Sequence, residues 1–253
     1  MYGGCVHHDN GPLGSRTLDR AEWRRVASLK SNGYNAIRTS HNPVSPAFID
    51  ACDRLGMLVM EEAFDCWEEG KNTDDYHVVF DAWWQRDMTS MVLRDQNRPS
   101  IVMWSIGNEI PMRRTPAGVN LSHVLTDYVH QLDPGSGRAV TSAYPMVGND
   151  ADAFLAPLDV AGYNYSPDRY ALDHERFPAR VIVGTESFPA SSYEMWSLAW
   201  QYSWVLGDFI WTSIDYIGES AIGHSTVSGD VDYLTGGEPF AWHISFCGSS
   251  PSV

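Results

Sequence analysis

The stretch that decides the fold is NAIRTSHNPVSPAFIDACDRLGMLVMEEAF, residues 35–64. Its opening, NAIRTS, predicts a short strand that ends in polar side chains. Pro46 and the run AFIDACDRLG predict a helix with Phe48, Ala51, Cys52 and Leu55 turned inward. MLVMEEAF then predicts a second strand, and this one ends in acid. Strand, helix and strand at this spacing make a parallel βα unit.

The same alternation extends in both directions. Upstream, Gly3 to Val6 reads as a strand. DRAEWRRVASLKSN (19–32) reads as a helix, with Asp19 and Glu22 as a capping box, Trp23, Val26, Ala27 and Leu29 on one face, and Gly33 as its stop. Downstream, strands are predicted at 101–105, 139–142, 158–162, 181–185 and 207–213, with helices over 79–96, 119–132 and 192–205. Residues 65–78 form a long polar loop studded with aromatics. The strands are short apolar runs rather than alternations, as expected of strands covered on both faces. Eight strands separated mostly by helices predict an α/β fold, a closed (β/α)8 TIM barrel. An open dinucleotide-binding sheet would need GxGxxG after its first strand, and none is present. After the last strand no helical pattern follows. The expectation is therefore a single barrel domain over 1–253 that lacks its final outer helix, a fragment of a longer multidomain protein.

Composition narrows the function. The 253 residues are 43% hydrophobic, enough for a full core, and carry a formal charge of -15. That charge argues against nucleic acid and against an anionic membrane face as partners. No apolar run approaches the length of a membrane span, and the polar start MYGGCVHHDNG does not read as a signal peptide. Ten Trp and twelve Tyr exceed the needs of a core; flat rings with a polar edge suit sugar clefts and protein interfaces alike. Cysteines 5, 52, 66 and 247 form no CxxC pair, so they are read as free, mostly buried thiols and not as a zinc site.

In such a barrel, chemistry sits at the C-terminal strand ends. Strand 1 delivers His7, His8 and Asp9; strand 2 delivers Arg38, Ser40, His41 and Asn42; strand 3 delivers Glu61 and Glu62. Strand 4, in PSIVMWSIGNEIP (99–111), delivers Asn108 and Glu109. Strand 6 delivers Tyr163, Asn164 and Tyr165, strand 7 Glu186, and strand 8 Trp211 and Asp215. Glu109 and Glu186 each follow an apolar strand, on strands that face each other across the barrel mouth. Two carboxylates flanking one bond are the minimal kit for glycoside hydrolysis. Either alone would read as a salt bridge at a strand end. Asn108 is placed to bind a sugar hydroxyl, His41 to hydrogen-bond substrate beside Arg38, and Tyr163 to orient the nucleophile. Trp211 would floor a sugar subsite and Trp67 would wall it, while Asp65 would bind sugar hydroxyls. The cluster His7, His8, Asp9 and His41 raises a metal-dependent hydrolase as an alternative. Adjacent strand residues point to opposite faces, however, so His7 and His8 cannot share a site, and no metal is expected. Cys5, inside a strand, reads as an inert core thiol.

These residues carry a family likeness. The chain resembles the catalytic barrel of glycoside hydrolase family 2, the group of β-galactosidases, β-glucuronidases and β-mannosidases. NGYNAIRTSHNP, RPSIVMWSIGNE and RVIVGTES resemble its strand 2, acid/base and nucleophile segments; GCVHHDNG and GDFIWTSIDYIGE fit its first and eighth strands. The resemblance implies Glu109 as general acid/base, Glu186 as nucleophile, Asn108 on the sugar 2-hydroxyl, and retention of configuration through a covalent intermediate. It also implies His41 and Trp211 in the substrate pocket and Tyr163 near the tyrosine that supports the nucleophile; His8, at the end of strand 1, is expected among the substrate-binding residues. Members carry further domains before the barrel, absent here, and some use magnesium, for which this chain shows no clear ligand pattern. The implied substrate is a β-linked neutral hexose, galactose ahead of mannose, because no Asn-x-Lys motif for a uronate is found and the loop tips are acidic. The alternative to turnover is a sugar-binding barrel without catalysis.

Overall fold

The computed structural model of the chain describes residues 1–7 and 16–214. The order is β1 (Tyr2–Val6), α1 (Asp19–Ser31), β2 (Ala36–Thr39), α2 (Pro46–Leu55), β3 (Leu58–Glu62), α3 (Phe80–Asp95), β4 (Ile101–Asn108), α4 (Pro116–Leu132), β5 (Ala139–Pro145), α5 (Asp152–Leu155), β6 (Ala161–Asn164), α6 (Arg169–Arg176), β7 (Ile182–Ser187), α7 (Ser192–Gln201) and β8 (Val205–Ile214). Neighbouring strands pair in parallel and β8 closes on β1, so the sheet is a barrel of eight strands, as the sequence predicts.

Alternation along the strands builds the site. Cys5, Ala36, Met60, Met103, Val183 and Phe209 form an apolar plug inside the barrel. Two residues further along, on the same face, stand Arg38 after Ala36, Glu62 after Met60, Ser105 after Met103 and Trp211 after Phe209. The plug therefore ends in a polar layer toward the C-terminal strand ends. The intervening residues, such as Ile37, Val59, Trp104, Ile182 and Ile210, face outward into the larger core shared with the helices.

Local signals explain most elements. Ser45 caps α2 by accepting from the Phe48 amide, Pro46 opens it, and Gly56 closes it in the left-handed region at φ 66°. The expected capping box at α1 does not form. Leu18 occupies the cap without a side-chain bond, and Asp19 and Glu22 lie in the first turn, where their charge faces the helix N-terminus. Trp23, expected inward, is exposed. The short helices α5 and α6 have no counterpart in the sequence reading; α5 is four residues long, too short for a periodic signal. Whether a helix follows β8 lies outside the described residues.

Candidate active site

The site grows from one buried cation. Arg38 is fully buried inside the barrel, and its guanidinium spans the pocket. Its Nη2 and Nε donate to Glu62 at 2.7 and 3.1 Å, while Nη1 donates to Glu186 Oε1 at 2.8 Å and to the Thr185 carbonyl at 3.0 Å. Nη2 also donates to Asn108 Oδ1 at 2.9 Å. Burial alone would lower the Arg38 pKa, but Glu62 and Glu186 outweigh it and hold the group firmly cationic.

Its two carboxylate partners behave differently. Burial would raise Glu62, yet the Arg38 charge, a 2.6 Å contact with His41 Nδ1 and a 2.6 Å bond from Ser105 Oγ bring it down to about 2. Burial also raises Glu186, and Arg38 and His41 only partly offset that, because Glu109 adds negative charge nearby; its pKa stays above that of an ordinary glutamate. The difference is one of coordination: Glu62 receives the fork of the guanidinium, and Glu186 a single N–H from it. The Tyr165 hydroxyl supplies a further bond to Glu186. Burial and the adjacent carboxylates push that phenol up, so it remains a donor.

Glu109 sits just past β4 at φ 44°, and Tyr165 just past β6 at φ 53°. Side chains other than glycine seldom adopt this region, and here each turn is pinned by its own amide. The Glu109 amide donates to the Ala143 carbonyl and the Tyr165 amide to the Glu186 carbonyl, both at 2.8 Å. Asn164 joins the two halves of the site. Its Nδ2 donates to Glu109 Oε1 at 2.8 Å, and its Oδ1 accepts from Thr185 Oγ1 at 2.6 Å.

Above this network His41 lies parallel to Trp211, ring centroids 5.0 Å apart, and His7 meets Trp211 edge-on at 4.8 Å. Asn108 Nδ2 donates to Asp65 Oδ1 at 3.1 Å, and Lys71 Nζ reaches the same oxygen at 2.5 Å.

Arg38, His41, Asn108, Glu109 and Glu186 thus converge, with Asp65 attached through Asn108 and Trp211 through His41. Two expected residues fall elsewhere. The Tyr163 hydroxyl donates to Asp173 at 2.9 Å and lies 3.2 Å from Arg180 Nη1, so it packs against α6 on the outside of the barrel. Residues 163 and 165 bracket the end of β6, and the hydroxyl that reaches Glu186 belongs to Tyr165. Trp67, expected as a pocket wall, is fully buried; its Nε1 donates to the Ile106 carbonyl at 3.0 Å and its ring stacks on Phe154. His8, Asp9 and Asp215 lie outside the described residues. Glu62, Asn164, Tyr165 and Lys71 had no assigned role. For Glu62 a signal existed: it is in phase with Met60, whereas Glu61 faces outward to Arg94 at 2.9 Å. Among the described residues no group of three or more His, Cys, Asp or Glu is arranged to hold a metal ion. Cys5, Cys52 and Cys66 are free and buried.

Comparison with known proteins gives this geometry a context. A family model described as "Glycosyl hydrolases family 2, TIM barrel domain" matches residues 1–169. The chain is 32% identical to "Beta-galactosidase BoGH2A" of Bacteroides ovatus, over 87% of this chain and 34% of that protein. A crystal structure of a glycosyl hydrolase family 2 member from Bacteroides cellulosilyticus superposes with a TM-score of 0.83 at 50% identity, covering 86% of this chain and 28% of that one. A β-glycosidase from Bacteroides vulgatus gives a TM-score of 0.70 at 31% identity, covering 87% and 35%. The chain spans about a third of the length of each of these proteins.

Proposed function

The chain belongs to glycosyl hydrolase family 2, and from that premise we propose that it hydrolyses terminal β-galactosides with retention of configuration. The observation that carries this reading is the pairing of two glutamates through one network. Glu109 is held by Asn164, and Glu186 by Arg38 and Tyr165. Glu186 takes its hydrogen bonds from a guanidinium and a phenol, which stabilise a carboxylate, and Glu109 takes one from a neutral amide.

In the first step a Glu186 oxygen attacks the anomeric carbon while the bond to the leaving oxygen breaks. Glu109 gives its proton to that oxygen, and a glycosyl ester forms on Glu186. Glu109, now a carboxylate, then takes a proton from water. The water oxygen attacks the same carbon, and Glu186 departs as a carboxylate. Arg38 and Tyr165 favour that departure, because both donate to the charge that reappears. Asn108, ordered by Arg38 and Asp65, faces the sugar hydroxyl beside the reacting carbon, and the stacked His41 and Trp211 form one wall of the subsite.

Galactose is supported by the relative from Bacteroides ovatus. The test is hydrolysis of nitrophenyl β-galactoside, β-mannoside and β-glucoside, with the anomer released followed by proton NMR. The β-galactoside is expected to turn over fastest and to release the β-anomer first. Glu186→Gln abolishes turnover, and Glu109→Gln lowers kcat for an alkyl galactoside by about 10²–10⁴-fold. First release of the α-anomer would overturn the retaining mechanism.

A further inference from the structure

The end of β4 is latched by side chains. Its pairing with β5 slips between Ser105 and Asn108, and three successive carbonyls there accept from side chains. Trp67 Nε1 donates to Ile106 O at 3.0 Å, Ser142 Oγ to Gly107 O at 2.8 Å, and Lys71 Nζ to Asn108 O at 3.0 Å. Two of the three donors come from the loop after β3, and only the Lys71 donor is charged.

The Lys71 contact falls on the peptide unit that leads into Glu109. That unit is fixed at both ends: its carbonyl by Lys71, and its N–H by the Ala143 carbonyl at 2.8 Å. Orientation of this unit sets the left-handed turn from which the Glu109 side chain leaves. Lys71 is itself held. Its amide donates to Asp75 Oδ2 at 2.7 Å, and Nζ pairs with Asp65, which accepts from the Asn108 side chain. Asp75 also takes the amides of Asn72 and His77 and the thiol of Cys66, which knits the loop around one carboxylate. Lysine and Asp65 therefore close a clamp around Asn108, on both its main chain and its side chain.

We propose that Lys71 is a positioning residue for the general acid/base: it orients Glu109 through the Asn108 carbonyl. This rests on the assignment of Glu109 above. A displacement of about 1 Å in a catalytic group can cost about a hundredfold in rate. Loss of Lys71 should be felt where the acid is needed, in departure of a poor leaving group. An alkyl glycoside needs that proton, and a dinitrophenyl glycoside hardly does.

The test compares kcat/KM for methyl β-galactoside and 2,4-dinitrophenyl β-galactoside in wild type, Lys71→Met, Lys71→Ala, Lys71→Arg and Glu109→Gln, each checked for folding by circular dichroism. In Lys71→Met the ratio of dinitrophenyl to methyl kcat/KM is expected to rise by about 10-fold to 100-fold. Lys71→Arg, which keeps a charged donor, restores much of it. Equal loss on both substrates in a folded Lys71→Met chain would overturn the inference, since a merely structural or substrate-binding lysine predicts that. If Lys71→Met does not fold, Lys71→Ala decides: a ratio raised above wild type supports the proposal, and an unchanged ratio, with or without equal losses, refutes it. Glu109→Gln separates the two levels. If it fails to raise the ratio, the Glu109 assignment falls and the inference with it; if it raises the ratio and neither Lys71→Met nor Lys71→Ala does, only the inference falls.

Discussion

At the scale of single residues, the central feature is one guanidinium serving two carboxylates of unlike character. In the proposed mechanism Glu186 must be ionised to attack, and burial raises its pKa above that of an ordinary glutamate. Activity is therefore lost as pH falls through a value higher than usual for a carboxylate, and kcat/KM against pH reads that acid limb. Tyr165 donates to the Glu186 carboxylate and lowers its pKa, so Tyr165→Phe moves the acid limb to higher pH. Tyr163→Phe leaves the limb in place and costs about 1 kcal/mol of stability, because its hydroxyl serves Asp173. A shift of the limb in Tyr163→Phe instead would contradict the assignment. Which tyrosine reaches Glu186 was not legible in the sequence, because the chain turns left-handed at Tyr165 and breaks the strand alternation there. The placement of the two glutamates at one end of the barrel was legible, since each follows an apolar run.

At the scale of elements, the loop between β3 and α3 is part of the active-site scaffold. Sequence gives its length and aromatic content but not its direction, and Trp67 turns away from the pocket to hold β4. That contact is close. A Cβ on Gly107 would stand 2.7 Å from Ile110 Cδ1 and 2.9 Å from Trp67 Nε1. Gly107→Ala is therefore expected to destabilise the fold by about 1–3 kcal/mol, read from urea unfolding, because buried Ile110 must repack and Trp67 must shift from its bond to the Ile106 carbonyl. A neutral Gly107→Ala would show that the latch yields easily. The strands were legible as short apolar runs, and most helices because each carries an apolar face at helical period, with a stop such as Gly33 after α1. The capping box at α1 misled because helix entry is decided by which residue turns extended, here Leu18, and not by residue type alone.

At the scale of the whole molecule, the barrel buries a charged layer over its apolar plug, and that layer couples stability to acid. The folded-state pKa of Glu62, about 2, lies below the ordinary 4.5. The stability it contributes is thus complete above pH 4.5 and fades as pH falls toward 2, up to about 3 kcal/mol in all. The stability gap between wild type and Glu62→Gln should narrow over that window, and a gap independent of pH would contradict the account. Closure into a barrel followed from eight apolar runs alternating with helical ones, while the layering of plug and charge appeared only once register aligned Arg38, Glu62 and Ser105 on one interior face. The central claim is that Glu186 attacks the sugar. Its most direct test is intact mass of the chain after incubation with an activated 2-deoxy-2-fluoro β-galactoside, followed by peptide mapping. The account predicts one added glycosyl group, on the peptide that contains Glu186. An adduct on any other residue, or none in a folded chain that turns over the unfluorinated galactoside, would contradict it.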